Sequence, residues 1–300
     1  PNAFIVGGEA AANILLDSRN PLVNYAIGSR DTPGSIFKMV TATAGLLHGQ
    51  LTLTETISDL GRFDKYDKTN PPRCWLNQKL LYRHADQTVV EGLTHSCNYF
   101  FYTVGSRLYE YTDDQLYKTA ALYGLTTKTG IDLPGEAAGL VLDADAMTIT
   151  DLAANSFGQG FNTTMIQMVS AFSSIVNGGT YYQPHVVKKI LDSSGATVET
   201  IQPRVMKRTV SQKTAETLRT YLYHVIAGDG VMTGTGSAAG VEGYKIGGKT
   251  GTAEKIPRDK KNYVVSFLGA APIDNPQVVL YVVVDEPNVA EQSHSTYAQE

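Results

Sequence analysis

Residues 35–47, SIFKMVTATAGLL, are apolar or small on almost every side of a helix, and a helix without a polar face has to be buried all round. This one segment requires a fold with enough other elements to enclose a helix completely. Pro33-Gly34 marks its start and Gly49 its end, as expected of residues that punctuate helices. Helical periodicity recurs over 89–108, 114–122, 146–156, 164–176 and 211–226, which supplies the enclosing layers. Strand signals come late. Residues 185–201 read as a surface hairpin around Asp192-Ser193-Ser194-Gly195, and 244–253, 263–270 and 278–284 are rich in β-branched and aromatic residues. The last two of these are joined through Ile273-Asp274-Asn275-Pro276, a turn signal. Helices first and strands last predict an α+β fold: an antiparallel sheet flanked by helices, plus an all-helical subdomain. Within one domain over 1–300, residues 50–180 are expected to be mainly helical, 1–49 and 181–287 to carry the sheet, and the polar segment 288–300 to be loose.

The charge balance narrows the function. The chain has 25 basic and 29 acidic residues, a formal net charge of −4, and is only 18% charged, so it lacks the basic stripe that nucleic-acid binding needs. A hydrophobic content of 42% excludes wholesale disorder. No run approaches the roughly 20 apolar residues that span a bilayer. Two cysteines, Cys74 and Cys97, cannot build a disulfide scaffold.

Three short motifs carry chemistry. Ser35-Ile36-Phe37-Lys38 sets a hydroxyl and an amine one helical turn apart on one face. The apolar neighbours Ile36, Phe37, Met39 and Val40 desolvate the lysine, which disfavours the ammonium and makes it a usable base. Ser35 falls in the first turn, where free N–H groups favour negative charge on a reacting oxygen. Ser96-Cys97-Asn98 offers a second hydroxyl able to relay a proton and an amide able to hold a peptide. Lys249-Thr250-Gly251-Thr252 follows Gly247-Gly248 and leads into the strands, whereas the similar Lys128-Thr129-Gly130 is followed by Ile131-Asp132-Leu133-Pro134-Gly135, a loop signature. Bare backbone at an edge strand can pair with an extended peptide. Each motif is short enough to recur by chance; their ordinary readings are a chance Ser–Lys pair, a solvated turn and an exposed strand lysine.

Taken together and in this order, the motifs resemble the active site of penicillin-binding protein transpeptidases and serine β-lactamases. Pro33-Gly34-Ser35, the run His95-Ser96-Cys97-Asn98-Tyr99-Phe100-Phe101, Gly158-Gln159-Gly160 leading into Gln167-Met168, Asn177-Gly178-Gly179 and GKTGTAEK over 248–255 look like a class B enzyme. The resemblance implies Ser35 as the acylated nucleophile, Lys38 as its general base, Ser96 as a proton relay and Asn98 as a ligand for the donor peptide. Lys249 would set the local potential, and Thr250, Gly251 and Thr252 would bind substrate. It implies no cofactor for the chemistry. Stem peptides of peptidoglycan would be the substrates and β-lactams the inhibitors, at the outer face of a bacterial cytoplasmic membrane, with the anchor supplied by a segment outside this chain. The family's sheet usually has further strands before residue 1 and a helix after the last strand, so a companion chain or another segment is expected to complete it. Two rival outcomes use the same acyl-enzyme: transfer to water, as in a D,D-carboxypeptidase or β-lactamase, and a β-lactam sensor or scaffold that does not turn over.

Cys74, His84, Asp86, His95 and Cys97 fall within one short stretch. Cys, His and carboxylate donors suit tetrahedral zinc, and the expected ligands are Cys74, His84, Asp86 and Cys97. Free thiols and a Cys74–Cys97 disulfide are the other two readings.

Overall fold

The computed structural model describes residues 12, 13, 16, 22–80, 82–141, 151 and 154–300. The helices are α1 Tyr25–Gly28, α2 Lys38–Leu47, α3 Trp75–Leu80, α4 Val89–Thr94, α5 Asn98–Tyr111, α6 Gln115–Leu122, α7 Met165–Val176 and α8 Gln212–Ala227. Strands β1 Ile57–Ser58 and β2 Asp86–Gln87 pair with each other, as do β3 Thr180–Tyr182 with β6 Val205–Arg208, and β4 Lys189–Leu191 with β5 Thr197–Thr200. The main sheet is antiparallel, in the order β7 Gly247–Glu254, β8 Tyr263–Ala271, β9 Val278–Asp285. The α+β reading is the observed one.

As its apolar circumference requires, α2 is the centre of the molecule. Lys38, Met39, Val40, Thr41, Ala42, Thr43, Ala44 and Gly45 are all buried. Around α2 lie α4, α5 and α6, and Phe100, Phe101, Val104 and Leu108 of α5 join Met39, Val40 and Ala42 in one continuous core. The hydroxyls on this helix cost nothing to bury because they are bonded: Thr43 donates to Met39 O at 2.8 Å and Thr41 to Ser156 O at 2.7 Å.

The expected helix over 89–108 is broken in two. A capping box, Thr88 with Glu91, starts α4, and Cys97 caps α5 with its sulfur accepting from Phe100 N. Between them Ser96 takes φ +53°, a left-handed conformation uncommon outside glycine. The expected helix over 146–156 lies mostly outside the described residues. The surface hairpin is β4–β5, with Asp192 accepting from Ser194 N and Ala196 N in its turn.

The sheet presents β7 on one side and β9 on the other, and among the described residues each pairs on one edge only. The segment 288–300, expected to be loose, carries a 3-10 turn at Ser295–Ala298 whose Ala298 is buried against Ala239 and Phe267. One small apolar residue filling a gap over β8 is enough to seat an otherwise polar stretch. No helix of the described residues is long and apolar enough to cross a membrane.

Candidate active site

The nucleophile candidate sits on a tightened turn. Residues Gly34–Phe37 form a 3-10 helix that runs directly into α2, so Ser35 lies one turn ahead of Lys38. Two backbones press on this turn. Gly34 N donates to Gly158 O at 3.1 Å, and a Cβ on Gly158 would lie only 2.1 Å from Gly34 O. On the other side a Cβ on Gly34 would lie 2.6 Å from Thr252 O and 3.1 Å from Thr252 N. With φ +54° at Gly34 and +86° at Gly158, both positions need glycine for space and for conformation. The result is Ser35, half-buried, wedged between the 155–160 loop and the unpaired edge of β7, with the Thr252 amide beside its turn.

Lys38 is fully buried and points across to the second motif. Its Nζ donates to Ser96 O at 2.7 Å, Ser96 Oγ at 3.1 Å and Asn98 Oδ1 at 2.6 Å, and it lies 5.6 Å from the centre of the Phe101 ring. Among the described residues its hydrogen bonds all go to this segment, and none joins Ser35 Oγ. Burial, opposed by the nearby Cys74 and Cys97 sulfurs, lowers the Lys38 pKa to about 8.

Lys249 approaches from the opposite wall. It is also fully buried, and its Nζ donates to Ser96 Oγ at 3.0 Å and to Thr250 Oγ1 at 3.2 Å. One serine hydroxyl thus accepts from two lysines, which places the two nitrogens no more than about 6 Å apart. Two positive charges at that separation repel by about 3 kcal/mol at an effective dielectric of about 20. Burial first, and the charge of Lys38 second, hold Lys249 well below the ordinary lysine range.

Four of the candidates therefore meet around one hydroxyl, Lys38, Ser96, Asn98 and Lys249, and Ser35 lies one turn ahead of Lys38. Thr250, Gly251 and Thr252 run along the edge strand that forms the opposite wall, in register opposite Phe267, Ser266 and Val265 of β8. Lys128-Thr129-Gly130 is indeed a loop; Thr129 N and Oγ1 both donate to Glu136 Oε1 at 2.6 Å, and Gly130 N donates to Glu136 Oε2. It captures an internal carboxylate.

The metal quartet needs one correction. Asp86 is exposed and accepts from Ser58 Oγ across the β1–β2 pair. Adjacent residues of a strand face opposite ways, so with Gln87 turned inward Asp86 has to face out. Asp59 takes its place: Asp59, Cys74, His84 and Cys97 are all buried, with donor atoms within 4.8 Å of one another. Asp59 lies outside the 74–97 stretch, at no metal-site spacing, so the sequence held no signal for it. Asp59 Oδ2 is 3.0 Å from His84 Nδ1, Cys74 Sγ is 3.4 Å from the same nitrogen, the two sulfurs are 3.7 Å apart, and Cys97 Sγ is 3.7 Å from Asp59 Oδ2. Ligands about 2.0–2.3 Å from a tetrahedral centre stand about 3.3–3.8 Å from one another, close to these separations. Burial opposes charge on His84, but hydrogen bonds to Asp59 and Cys74 outweigh it and raise the imidazole to about 9. The bond from Cys97 holds the Cys74 thiol down, while burial and that neighbour push Cys97 up.

Thr235 is a second residue that sequence reasoning missed. Its N and Oγ1 both donate to Thr94 O at 3.1 Å, and Thr250 Oγ1 donates to Thr235 Oγ1 at 3.3 Å. The glycines on either side, Gly234 and Gly236, are the only local sign that this loop is held closely.

Comparison with known proteins places the chain in one family. The family model for the penicillin binding protein transpeptidase domain matches residues 2–300. Stage V sporulation protein D of Bacillus subtilis is 38% identical over 285 residues, covering 92% of this chain and 41% of its own length. Penicillin-binding protein PbpB of Mycobacterium tuberculosis is 32% identical, with 89% of this chain and 39% of its own length covered. The chain thus spans about two fifths of these relatives. Among solved structures, the D,D-transpeptidase domain of a peptidoglycan glycosyltransferase from Eggerthella lenta superposes with a TM-score of 0.80 at 25% identity, over 96% of this chain and 69% of that one. Penicillin binding protein 3 from M. tuberculosis, complexed with aztreonam, gives 0.78 at 30% identity over 92% and 61%. With three motifs converging on one buried hydroxyl and a family match along nearly its whole length, this chain belongs to the penicillin-binding protein transpeptidase domain family.

Proposed function

We propose that this domain is a peptidoglycan D,D-transpeptidase working through an acyl-enzyme on Ser35. The observation that carries the reading is the shared hydroxyl of Ser96, which accepts from both Lys38 and Lys249 and so links the wall behind the nucleophile to the strand where a peptide would lie. A stem peptide ending in D-Ala-D-Ala pairs with the free edge of β7. Its carboxylate is taken by Thr250 and Thr252, beside bare backbone at Gly251, and its amide by Asn98. Ser35 Oγ attacks the penultimate carbonyl carbon and gives its proton to neutral Lys38, while the N–H groups of Ser35 and Thr252 stabilise the oxyanion. The C–N bond breaks, and the departing D-Ala amine receives that proton through Ser96. An amine from a second stem then attacks the ester and restores Ser35. Lys38 acts through its lowered basicity: an amine about 8 in pKa is near the operating range of a base, where an ordinary lysine is not. β-Lactams enter as cyclic amides whose leaving group stays attached, which leaves the ester on Ser35.

A stem-peptide mimic offered with and without an amine acceptor tests this reading. We expect D-Ala release together with the cross-linked product when the amine is present. Release into water alone would make the protein a carboxypeptidase, and no release beside a persistent β-lactam adduct would make it a sensor. A peptidoglycan substrate places the domain at the outer face of the bacterial cytoplasmic membrane, held by chain outside this sequence; that chain or a companion would also cover the unpaired edge of β9.

The quartet Asp59, Cys74, His84 and Cys97 is read as a structural zinc site. Its donor set and near-tetrahedral spacing support zinc over free thiols, and Cys97 stands between Ser96 and Asn98, so the metal would fix the turn that presents both. Elemental analysis should find about one zinc per chain in the purified protein, and Cys74→Ser should lower it severalfold. A zinc-free protein two hydrogen atoms lighter than its reduced form would instead identify the disulfide.

A further inference from the structure

We propose that Thr235 is a positioning residue for carboxylate recognition, its hydroxyl proton turning onto Thr250 Oγ1 when Thr250 donates its own proton to a bound carboxylate. The inference rests on the reading that Thr250 holds that carboxylate.

At rest the chain of donors runs away from the cleft. Thr250 Oγ1 donates to Thr235 Oγ1, and Thr235 Oγ1 donates to Thr94 O. A carboxylate beside Thr250 accepts only, so the Thr250 hydroxyl has to rotate towards it. Its oxygen would then face the Thr235 oxygen with no proton between them. Thr94 O provides the way out because it is bonded twice, by Thr235 N as well as Thr235 Oγ1. The Thr235 hydroxyl can leave it without stranding the carbonyl of a buried residue. The reversed chain, Thr235 to Thr250 to carboxylate, consists of hydrogen bonds that polarise one another towards the negative charge.

The loop is anchored well enough for a rotating hydroxyl to matter. Gly236 N donates to Val225 O at the end of α8, Gln299 Nε2 donates to Thr235 O, and Asp229 accepts from Val231 N and Met232 N while its Oδ2 lies 2.8 Å from His95 Nε2. Thr235 is thus tied on one side to Thr94, two residues ahead of Ser96, and on the other to the strand that carries Lys249. It is half-buried, at the junction of the two walls.

Valine is nearly isosteric with threonine and keeps the Thr235 N–H, so Thr235→Val removes the proton donor and little else. The measurement is the second-order acylation rate for penicillin G and for its methyl ester, in wild type, Thr235→Val, Thr235→Ser and Thr250→Val. The preference for acid over ester should fall about fivefold in Thr235→Val, the loss expected for one hydrogen bond, and return to within about twofold of wild type in Thr235→Ser. Wild-type preference in Thr235→Val, beside a reduced one in Thr250→Val, overturns the role of Thr235 alone. An equal loss for acid and ester in Thr235→Val also overturns it, because a merely structural residue would act on both. Undiminished preference in Thr250→Val removes the underlying reading and this inference with it.

Discussion

Replacing Lys38 by methionine should slow acylation of Ser35 by about 10²–10⁴, the usual worth of a positioned general base. Methionine fills a similar volume beside Phe101 and carries no proton acceptor for the serine. The substitution also leaves Ser96 O and Asn98 Oδ1 without the donor that now bonds both, at about 1–3 kcal/mol for the buried Ser96 carbonyl. A lower melting temperature is therefore expected as well, and the pH profile separates the two effects. Burial lowers Lys38 to about 8. Below that pH the amine is the cation and cannot take a proton; above it the neutral base predominates. Wild-type acylation should accordingly rise with pH from 6, by about tenfold per unit at first, and level off above about 8. Lys38→Met should lose that rise. Stopped-flow capture of a chromogenic β-lactam between pH 6 and 9 measures both, and a flat wild-type profile would remove Lys38 as the base.

Each motif residue was legible in the sequence, whereas the route between them was not. The spacing of Ser35 and Lys38 suggested a direct pair on one helical face. In the structure the first turn is 3-10, and Lys38 is committed to Ser96 and Asn98. What periodicity could not show is that Ser96 sits in a left-handed break between α4 and α5, because aromatic residues continue the helical pattern straight through it. The capping box at Thr88 and Glu91 was the available sign that a short helix starts there. The surface hairpin and the three strands of the main sheet were read within a few residues, since β-branched runs with a turn between them leave little freedom, whereas β1, β2, β3 and β6 were not read. Asp59 and Thr235 were invisible for one shared reason: each acts through a contact with a segment distant in sequence, Asp59 with His84 and Cys97, Thr235 with Thr94 and Thr250. Asp86 misled because a strand's alternation decides which way a carboxylate faces, and β2 is too short to show its phase.

The same geometry explains why the cleft tolerates so much buried polarity. Two lysines in an apolar interior would be costly if both were charged. Here burial lowers both lysines, the charge of Lys38 lowers Lys249 further, and the ammonium protons meet oxygens.

The central claim is that Ser35 is the residue that becomes acylated. Intact-protein mass spectrometry after exposure to penicillin G tests it most directly. The account predicts that the native chain gains the mass of one penicillin, that peptide mapping places it on Ser35, and that Ser35→Ala gains nothing. An adduct that persists in Ser35→Ala, or that maps to Ser96, would contradict it.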